Sequence, residues 1–411
     1  MRRQHPDWKV TVVRTSLDKF TYQMIFPYLS IYIVALGASA TQLGMVNSAG
    51  MIVAGILGPL IGWLIDKNGP KKIYLVGISL VAISYLSYGF AMVWTVTLIA
   101  MMLYWMGHSI STHSCATVCG NCLVNKDRAT GMMICETVAA GLLGMAGPML
   151  GAWLVTSSGG VSVNGIRPLF YLGSVVTVGA LFLVLTRLSN QKWGLARKTS
   201  THVLRDLYWV MKEGRNLRRW LIVASIGALP LGMVFPFSQV FAHEIKGANG
   251  FALGAMVTGS ALASIMFAIP LGRLADIVGR KKVLYVTMPL FWASNLILVW
   301  SPGLTFLVVA GILQGFYYIG SPISMAMERE LVPADQMGRW LGITRFFRML
   351  FGACMAFGAG LIWDRLGPQY VFLTFVSLDL ILRMPLLVTM PETLNSRFAE
   401  QGTAKSGDQT T

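Results

Sequence analysis

Three ionisable side chains, Asp18, His108 and Glu136, lie inside long runs of apolar residues. A charge in a hydrocarbon interior costs on the order of a few kcal/mol, so a residue of this kind indicates a functional role or a buried partner. A carboxyl group in apolar surroundings also holds a proton more readily than it does in water. We therefore predict that these residues are the candidates for carrying an exchangeable proton, with Glu136 the strongest of them.

Two further charged pairs occur in apolar runs near the carboxyl end of the chain. Arg345 and Arg348 are one helical turn apart, and together they could attract an anionic solute. Asp379 and Arg383 have the i,i+4 spacing that brings opposite charges together on one helix, so they could simply neutralise each other.

Aromatic, thioether and amide side chains are concentrated in the predicted helices 1, 4, 7 and 10. Such side chains suit amphipathic solutes of variable shape, because aromatic and methionine side chains repack easily, although ordinary packing would explain part of the pattern. The candidates for a solute-binding cavity, including the two arginines, are Tyr22, Gln23, Phe26, Trp105, Phe235, Gln239, Gln314, Tyr317, Arg345 and Arg348.

One stripe of the fourth predicted helix combines imidazole and thiol groups. It contains His108, Ser111, Cys115, Cys119 and Cys122. These are ligand types that soft metals prefer, so a metal relay is one interpretation. No second cluster complements the stripe, and buried cysteine is commonly a small apolar residue, so we predict no metal site.

The elements that must position these residues are membrane-spanning helices. Hydrophobic residues make up 55% of the 411 positions and charged residues only 12%, whereas globular domains carry roughly 25% charged residues. The apolar runs have the length that a helix needs to cross a bilayer. They predict spans at 15–36, 42–65, 73–93, 96–123, 130–156, 168–187, 219–242, 250–275, 283–300, 303–327, 337–362 and 369–390.

The formal net charge of +16 could suggest a nucleic-acid-binding protein, but the basic residues are placed as a topology signal. With the amino terminus inside, most Lys and Arg residues outside the spans fall in inward loops and tails, and only Arg167, Lys246 and Arg365 fall in outward loops. This asymmetry follows the positive-inside rule. It predicts a multi-pass inner-membrane protein with both termini in the cytoplasm, no nucleic-acid partner and no removable signal peptide.

The two halves of the chain repeat at a spacing of about 210 residues, as expected of a membrane protein that is built from two duplicated halves. The segment Met24–Tyr28 recurs as Met233–Phe237, and Gly62–Lys72 recurs as Gly272–Lys282. The repeat predicts two six-helix bundles at 1–188 and 219–392. A cytoplasmic linker at 189–218 would join them, and a tail at 393–411 would follow.

The repeated loop segment resembles the loop signature of the major facilitator superfamily, which occurs between helices 2 and 3 and between helices 8 and 9. Its matching residues are Gly62, Asp66, Gly69, Lys71 and Lys72, and then Gly272, Asp276, Gly279, Arg280 and Lys281. The resemblance implies an all-α fold of twelve transmembrane helices. It also implies that this loop closes the cytoplasmic face in the outward-open state. The glycines would permit close approach of helices at a tight turn.

Helix 5 resembles the antiporter signature of the same superfamily. Its residues are Gly144, Gly147, Pro148 and Gly151, which would act as a hinge and pack closely against the other half, or simply form a face of small residues. Asp18 lies nine residues before Pro27, the interval seen in tetracycline-type antiporters, with Lys19 as a possible partner. Helix 4 departs from the antiporter pattern. The antiporters have an arginine about four residues before a glycine on this helix, whereas here Leu103 precedes Gly107.

These features predict an alternating-access secondary transporter of the drug:proton antiporter type, which exports amphipathic organic compounds as a monomer. Its energy source would be the proton gradient, without a cofactor, and no nucleotide loop or catalytic constellation suggests an enzyme. The alternative is a proton-coupled carrier of one specific small metabolite, such as an organic anion. A receptor or scaffold of the same fold is the third interpretation.

Overall fold

The computed structural model describes residues 5–122, 139–191, 215–332, 337–390 and 392. Within these ranges the chain forms twelve helices, and none of the described residues forms a strand. In the first half they are α1 Pro6–Ala35, α2 Ala40–Asn68, α3 Pro70–Gly89, α4 Trp94–Cys122, α5 Ala139–Ser157 and α6 Val163–Arg187.

The second half repeats the six-helix arrangement with two irregular members. Helix α7 begins as Arg215–Ile226 and continues through Pro230–Val234, Phe235–Val240 and Phe241–Ile245. The regular helices are α8 Gly250–Val278, α9 Arg280–Trp300, α10 Leu304–Leu331 and α11 Met337–Arg365. Helix α12 consists of Pro368–Leu378, Asp379–Arg383 and Met384–Val388. The segments Pro230–Val234, Phe241–Ile245 and Asp379–Arg383 are π-helical turns.

Nine helices of the described chain are long and apolar enough to cross a membrane. Helices α1 and α4 and the described part of α5 are not among the nine. Helix α1 is long enough to cross a membrane but not apolar enough, because charged and polar residues interrupt its apolar run. Because of the same residues, the sequence predicted that this helix begins at residue 15. In the structure it begins at Pro6, and His5 is its N-cap residue.

The turns of the two loop signatures explain their central glycines. Gly69 alone separates α2 from α3 and has φ of 84°, and Gly279 separates α8 from α9 with φ of 120°. Only glycine adopts these conformations without strain. We call the end of the molecule that carries these turns the loop-motif end, and we call the other the opposite end.

Contacts between the halves are concentrated at the opposite end. The Ser48 hydroxyl on α2 donates to the Ala353 carbonyl on α11 at 2.6 Å, and the Thr41 amide donates to Asp364 at 2.9 Å. A Cβ added at Gly360 would lie 2.4 Å from the Ala40 carbonyl oxygen. The helix backbones therefore touch directly at this end.

Among the described residues, the glycines at the loop-motif end make no such backbone contact, although the Arg345 side chain of α11 reaches His113 of α4 on the side toward that end. A Cβ added at Gly62, Gly272 or Gly342 would meet nothing within 4 Å. The expectation that Gly62 and Gly272 mediate close helix approach is therefore wrong for this conformation. Among the described residues, direct backbone contact between the halves is thus found at the opposite end and not at these glycines of the loop-motif end.

One lysine of each loop signature ties that loop to the last helix of its own half. Lys71 Nζ donates to the Leu188 carbonyl at the end of α6, at 2.6 Å. Its counterpart Lys281 donates to the carbonyls of Val388 and Met390 at the end of α12, at 2.6 and 2.7 Å. A cation near the carbonyl end of a helix satisfies acceptors that have no partner in the helix. These lysines brace each half internally.

We expect Lys281→Met to lower the melting temperature by several degrees, because two charge-assisted hydrogen bonds to helix-terminal carbonyls are lost. Lys282→Met is the matched control, since Lys282 is adjacent and exposed. Thermal unfolding of the purified proteins measures both. Equal melting temperatures for the two variants would contradict the bracing role.

Candidate functional site

A buried carboxylate lies between two basic groups where α1 meets α4. Asp18 Oδ1 lies 3.4 Å from Arg14 Nη2, and Asp18 Oδ2 lies 3.8 Å from His108 Nδ1. The Asp18 side chain is 11% exposed and that of Arg14 only 3%, whereas His108 is 30% exposed. Asp18 thus has two basic neighbours, Arg14 as an ion-pair partner on its own helix and His108 on α4, which forms an ion pair with it when the imidazole is protonated.

The partner of Asp18 differs from the sequence prediction. Lys19 was the predicted partner, but Arg14, one turn earlier on the same helix, occupies that position. Arg14 also lies over the Tyr74 ring of α3, 5.1 Å from its centroid. The sequence analysis missed Arg14 because the predicted span began after it, although its i,i+4 spacing to Asp18 is a readable signal.

A continuous path of aromatic rings connects the two halves. Tyr22 lies 5.4 Å from Phe26, ring centroid to centroid, and Phe26 lies 6.4 Å from Phe235 on α7. Phe235 in turn lies 5.1 Å from Tyr317 on α10. The structure thus brings four of the predicted cavity residues into one cluster at the interface of the halves.

The remaining aromatic and amide candidates lie beside this path or are buried away from it. Trp105 packs against Gly50 of α2, where an added Cβ would lie 2.2 Å from the indole ring. The Gln23 side chain lies against Gly147 of α5. Gln239 and Gln314 are 2% and 5% exposed, and each has one amide atom without a hydrogen-bond partner in the described part of the chain.

The two predicted arginines of α11 point to different neighbours. Arg345 crosses to the first half, where Nη1 lies 3.3 Å from His113 Nε2 and Nη2 donates to the Ser109 hydroxyl at 3.1 Å. Arg348 lines a cavity inside the second half, together with Asp379 and Arg383. The predicted pairing of Asp379 with Arg383 is present, with Asp379 Oδ1 at 3.5 Å from Arg383 Nη1.

The glycines of α5 pack against a helix that the sequence analysis did not anticipate. A Cβ at Gly147 would lie 2.8 Å from the Phe20 carbonyl oxygen, and one at Gly151 would lie 2.6 Å from the Met24 carbonyl oxygen. Both neighbours belong to α1 of the same half, so the predicted packing of this face against the other half is wrong. The other half is contacted at Pro148, whose carbonyl oxygen lies 2.9 Å from a Cβ built on Gly254 of α8.

The structure does not test the predicted roles of several residues. Glu136 lies outside the described residues. Gly144 lies in α5, and Asp66 lies in the last turn of α2, without a described side chain. In the second loop signature, the 69% exposed Asp276 lies 3.5 Å from Arg280, which also pairs with Glu330 at 2.9 Å. Lys72 is exposed at the start of α3.

The thiol groups of α4 face α1. The sulfurs of Cys115 and Cys119 are 4.0 Å apart and contact the hydroxyls of Thr15 and Thr11. Among the described residues no group of three or more His, Cys, Asp or Glu is placed to hold a metal ion. Cys115 and Cys119 thus join α4 to α1 through contacts between thiol and hydroxyl groups.

With the geometry described, the chain can be compared with known proteins. A profile of the Major Facilitator Superfamily matches residues 15–256 and 220–407. The multidrug resistance protein MdtG of Enterobacter lignolyticus (strain SCF1) is 24% identical over 295 residues, which covers 69% of this chain and 68% of that protein.

Two solved structures share the fold. The nucleoside transporter NupG has a TM-score of 0.74 at 16% identity, covering 93% of this chain and 99% of its own. The human organic anion transporter MFSD10 (TETRAN) has a TM-score of 0.66 at 17% identity, with the same coverage. The chain belongs to the Major Facilitator Superfamily. It is a multi-pass membrane protein of the transporter class and resembles the drug:proton antiporter branch.

Proposed function

We propose that this protein is an alternating-access, proton-coupled exporter of amphipathic organic compounds. The observation that carries the proposal is the ion-paired Asp18, which lies between Arg14 and the partly accessible His108. A carboxylate held by two basic groups can release them when it takes up a proton. Proton uptake and release are thereby linked to the arrangement of α1 and α4.

The distribution of contacts supports alternating access. The halves touch through backbone atoms at the opposite end, whereas the described glycines Gly62, Gly272 and Gly342 of the loop-motif end have open space beside them. Rocking of one half against the other would exchange the open and closed ends around a site at the interface. We assign the loop-motif end to the cytoplasm of a bacterial inner membrane, with both termini there, and the transport unit to a monomer.

The lining of the interface supports amphipathic substrates. The aromatic path from Tyr22 to Tyr317 offers adaptable apolar contacts rather than a rigid set of polar groups. The relatives named MdtG are multidrug resistance proteins. Small organic molecules and protons would therefore be the partners of this protein, with no cofactor and no nucleic acid.

A second candidate function is the proton-coupled transport of one specific small metabolite, an organic anion. It is favoured by Arg345 and Arg348, which have no carboxylate within 4 Å among the described residues. Guanidinium groups bind carboxylates and phosphates through charge-assisted hydrogen bonds.

Flux measurements in proteoliposomes distinguish the two candidates. Purified protein is reconstituted, a pH gradient is imposed, and uptake of a panel of amphipathic cations, neutral compounds and anions is followed. Uptake of many unrelated compounds supports multidrug export, and uptake of one compound supports a dedicated carrier. Absence of any flux dependent on the pH gradient would contradict both.

A further inference from the structure

One cavity, partly open to the outside, is lined only by residues of the second half of the protein. Its walls come from α7, α9, α10, α11 and α12, and no residue of the first half lines it. The α10 residues that line it run from Phe316 to Glu328, so the cavity lies in the part of the half nearer the loop-motif end. It adjoins the aromatic path between the halves at Tyr317, which lines both, and at Phe291, whose ring centroid lies 6.3 Å from that of Phe235.

Both acidic residues of the cavity are already engaged by protein groups. Asp379 is 2% exposed, and its Oδ2 accepts a hydrogen bond from Trp292 Nε1 at 2.7 Å. Its Oδ1 faces Arg383 at 3.5 Å. Glu328 is 4% exposed and accepts a hydrogen bond from Trp340 Nε1. The charge of Asp379 is thus compensated by Arg383.

Arg348 is the cationic group of the cavity that has no such compensation. No carboxylate lies within 4 Å of it among the described residues, and its Nε has no hydrogen-bond partner there. The Tyr317 hydroxyl interacts with the Arg348 guanidinium. A lone guanidinium in a membrane interior is costly, and an anion from outside the protein would compensate it.

The walls around Arg348 suit an apolar body attached to that anion. The aromatic side chains of the lining are Trp220, Phe291, Phe316 and Tyr317. Two of the helices are irregular beside the cavity, since α7 is interrupted after Ile226 and α12 has a π-helical turn at Asp379–Arg383. Interrupted and π-helical segments in transporters commonly line ligand sites.

We propose that this cavity binds the acid group of an amphipathic organic anion and that Arg348 is its anion-binding residue. The inference rests on the proposed transport function and gives it a substrate class. Since the cavity belongs to one half, the bound acid group travels with that half when the halves rock. The proton-carrying pair at Asp18 belongs to the other half, so substrate binding and proton binding are divided between the halves.

Binding of three matched probes to the purified protein tests the proposal. The probes are 4-phenylbutyrate, its methyl ester and 4-phenylbutylamine, which share one apolar body and differ in charge. Calorimetry on the wild-type protein should show the acid binding roughly 10- to 100-fold more tightly than the ester, as charge-assisted hydrogen bonds imply. Equal affinity for all three probes would overturn the proposal.

Arg348→Gln should remove this preference and leave the affinity for the ester unchanged, and Arg348→Lys should restore part of it. Arg365→Gln is the matched control, because Arg365 lies on the same helix but is exposed at the opposite end. The melting temperature of each variant is measured alongside, and Arg348→Gln should not lower it, because it removes an uncompensated charge. A preference that persists in Arg348→Gln would overturn the assignment.

Flux measurements separate failure of this inference from failure of the proposed function. The protein could bind the acid selectively through Arg348 and yet show no flux driven by a pH gradient. That outcome supports the anion site in the cavity and contradicts the transport proposal. Gradient-driven flux of all three probes that is unaffected by Arg348→Gln contradicts the cavity assignment and leaves the transport proposal standing.

Discussion

Asp18→Asn should abolish accumulation of substrate driven by a pH gradient, while exchange of substrate down its own gradient continues. Asparagine keeps the shape of the protonated carboxyl group but cannot release a proton, so the variant is fixed in one protonation state. Substrate binding that competes with the proton in the wild type should weaken as the pH falls, and in the variant it should be independent of pH. Reconstituted protein with imposed gradients measures both flux modes.

Loss of the carboxylate also leaves Arg14 without its anion, and a buried unpaired charge costs about 3–5 kcal/mol. The double variant Arg14→Gln with Asp18→Asn removes both charges, so it should regain stability and still fail to couple. Asp18→Glu is the conservative control and should keep some coupling. Coupled accumulation in a stable Asp18→Asn protein would exclude Asp18 and leave Glu136 as the next proton-carrying candidate.

Gly360→Ala should shift the protein toward the state that is open at the opposite end. A Cβ at this position would lie 2.4 Å from the Ala40 carbonyl oxygen and 2.6 Å from Thr41 Cα, so the contact that closes this end could not form unchanged. Overpacking of this kind costs about 1–3 kcal/mol, which changes a two-state equilibrium roughly 5- to 150-fold. Gly358→Ala on the same helix is the control, because a Cβ there meets nothing within 4 Å.

Distances between spin labels across the two halves measure this shift. The exposed residues Met92 and Leu366 lie in the loops after α3 and α11 at the opposite end, and each is replaced by cysteine for labelling. The distance distribution should move to longer values in Gly360→Ala and remain at the wild-type position in Gly358→Ala. The same shift in both variants would contradict a role for the α2–α11 contact in closing this end.

Much of the site could be predicted because its ionisable residues interrupt long apolar runs. Asp18, His108, Arg345 and Arg348 are identifiable as ionisable groups within apolar runs, and no fold is needed to see them. Their partners could not be predicted in the same way. The contact of Arg345 with His113 joins residues more than two hundred positions apart, and the rotation of two helices and the reach of a long side chain decide it.

The glycines of α5 show the same limit. Their spacing places them on one face of a helix, which the sequence fixes through helical periodicity. The helix that this face meets is a property of the packed bundle, and it is α1 of the same half rather than the other half. The sequence analysis assigned that face to the wrong neighbour because spacing contains no information about the neighbour.

The sequence by itself determined that the chain is a helical membrane protein with two repeated halves, because hydropathy, charge placement and repeat spacing are local or periodic properties. It also predicted a tight turn at the glycines of each loop signature, and the structure shows that Gly69 and Gly279 adopt a positive φ there, which only glycine does without strain. The tertiary structure alone decided at which end the halves touch through backbone atoms and that Arg14 and His108 lie beside Asp18. It also placed Arg348 in a cavity within one half. These features depend on how helices separated in the chain approach one another, and that arrangement is set by the packing of all twelve.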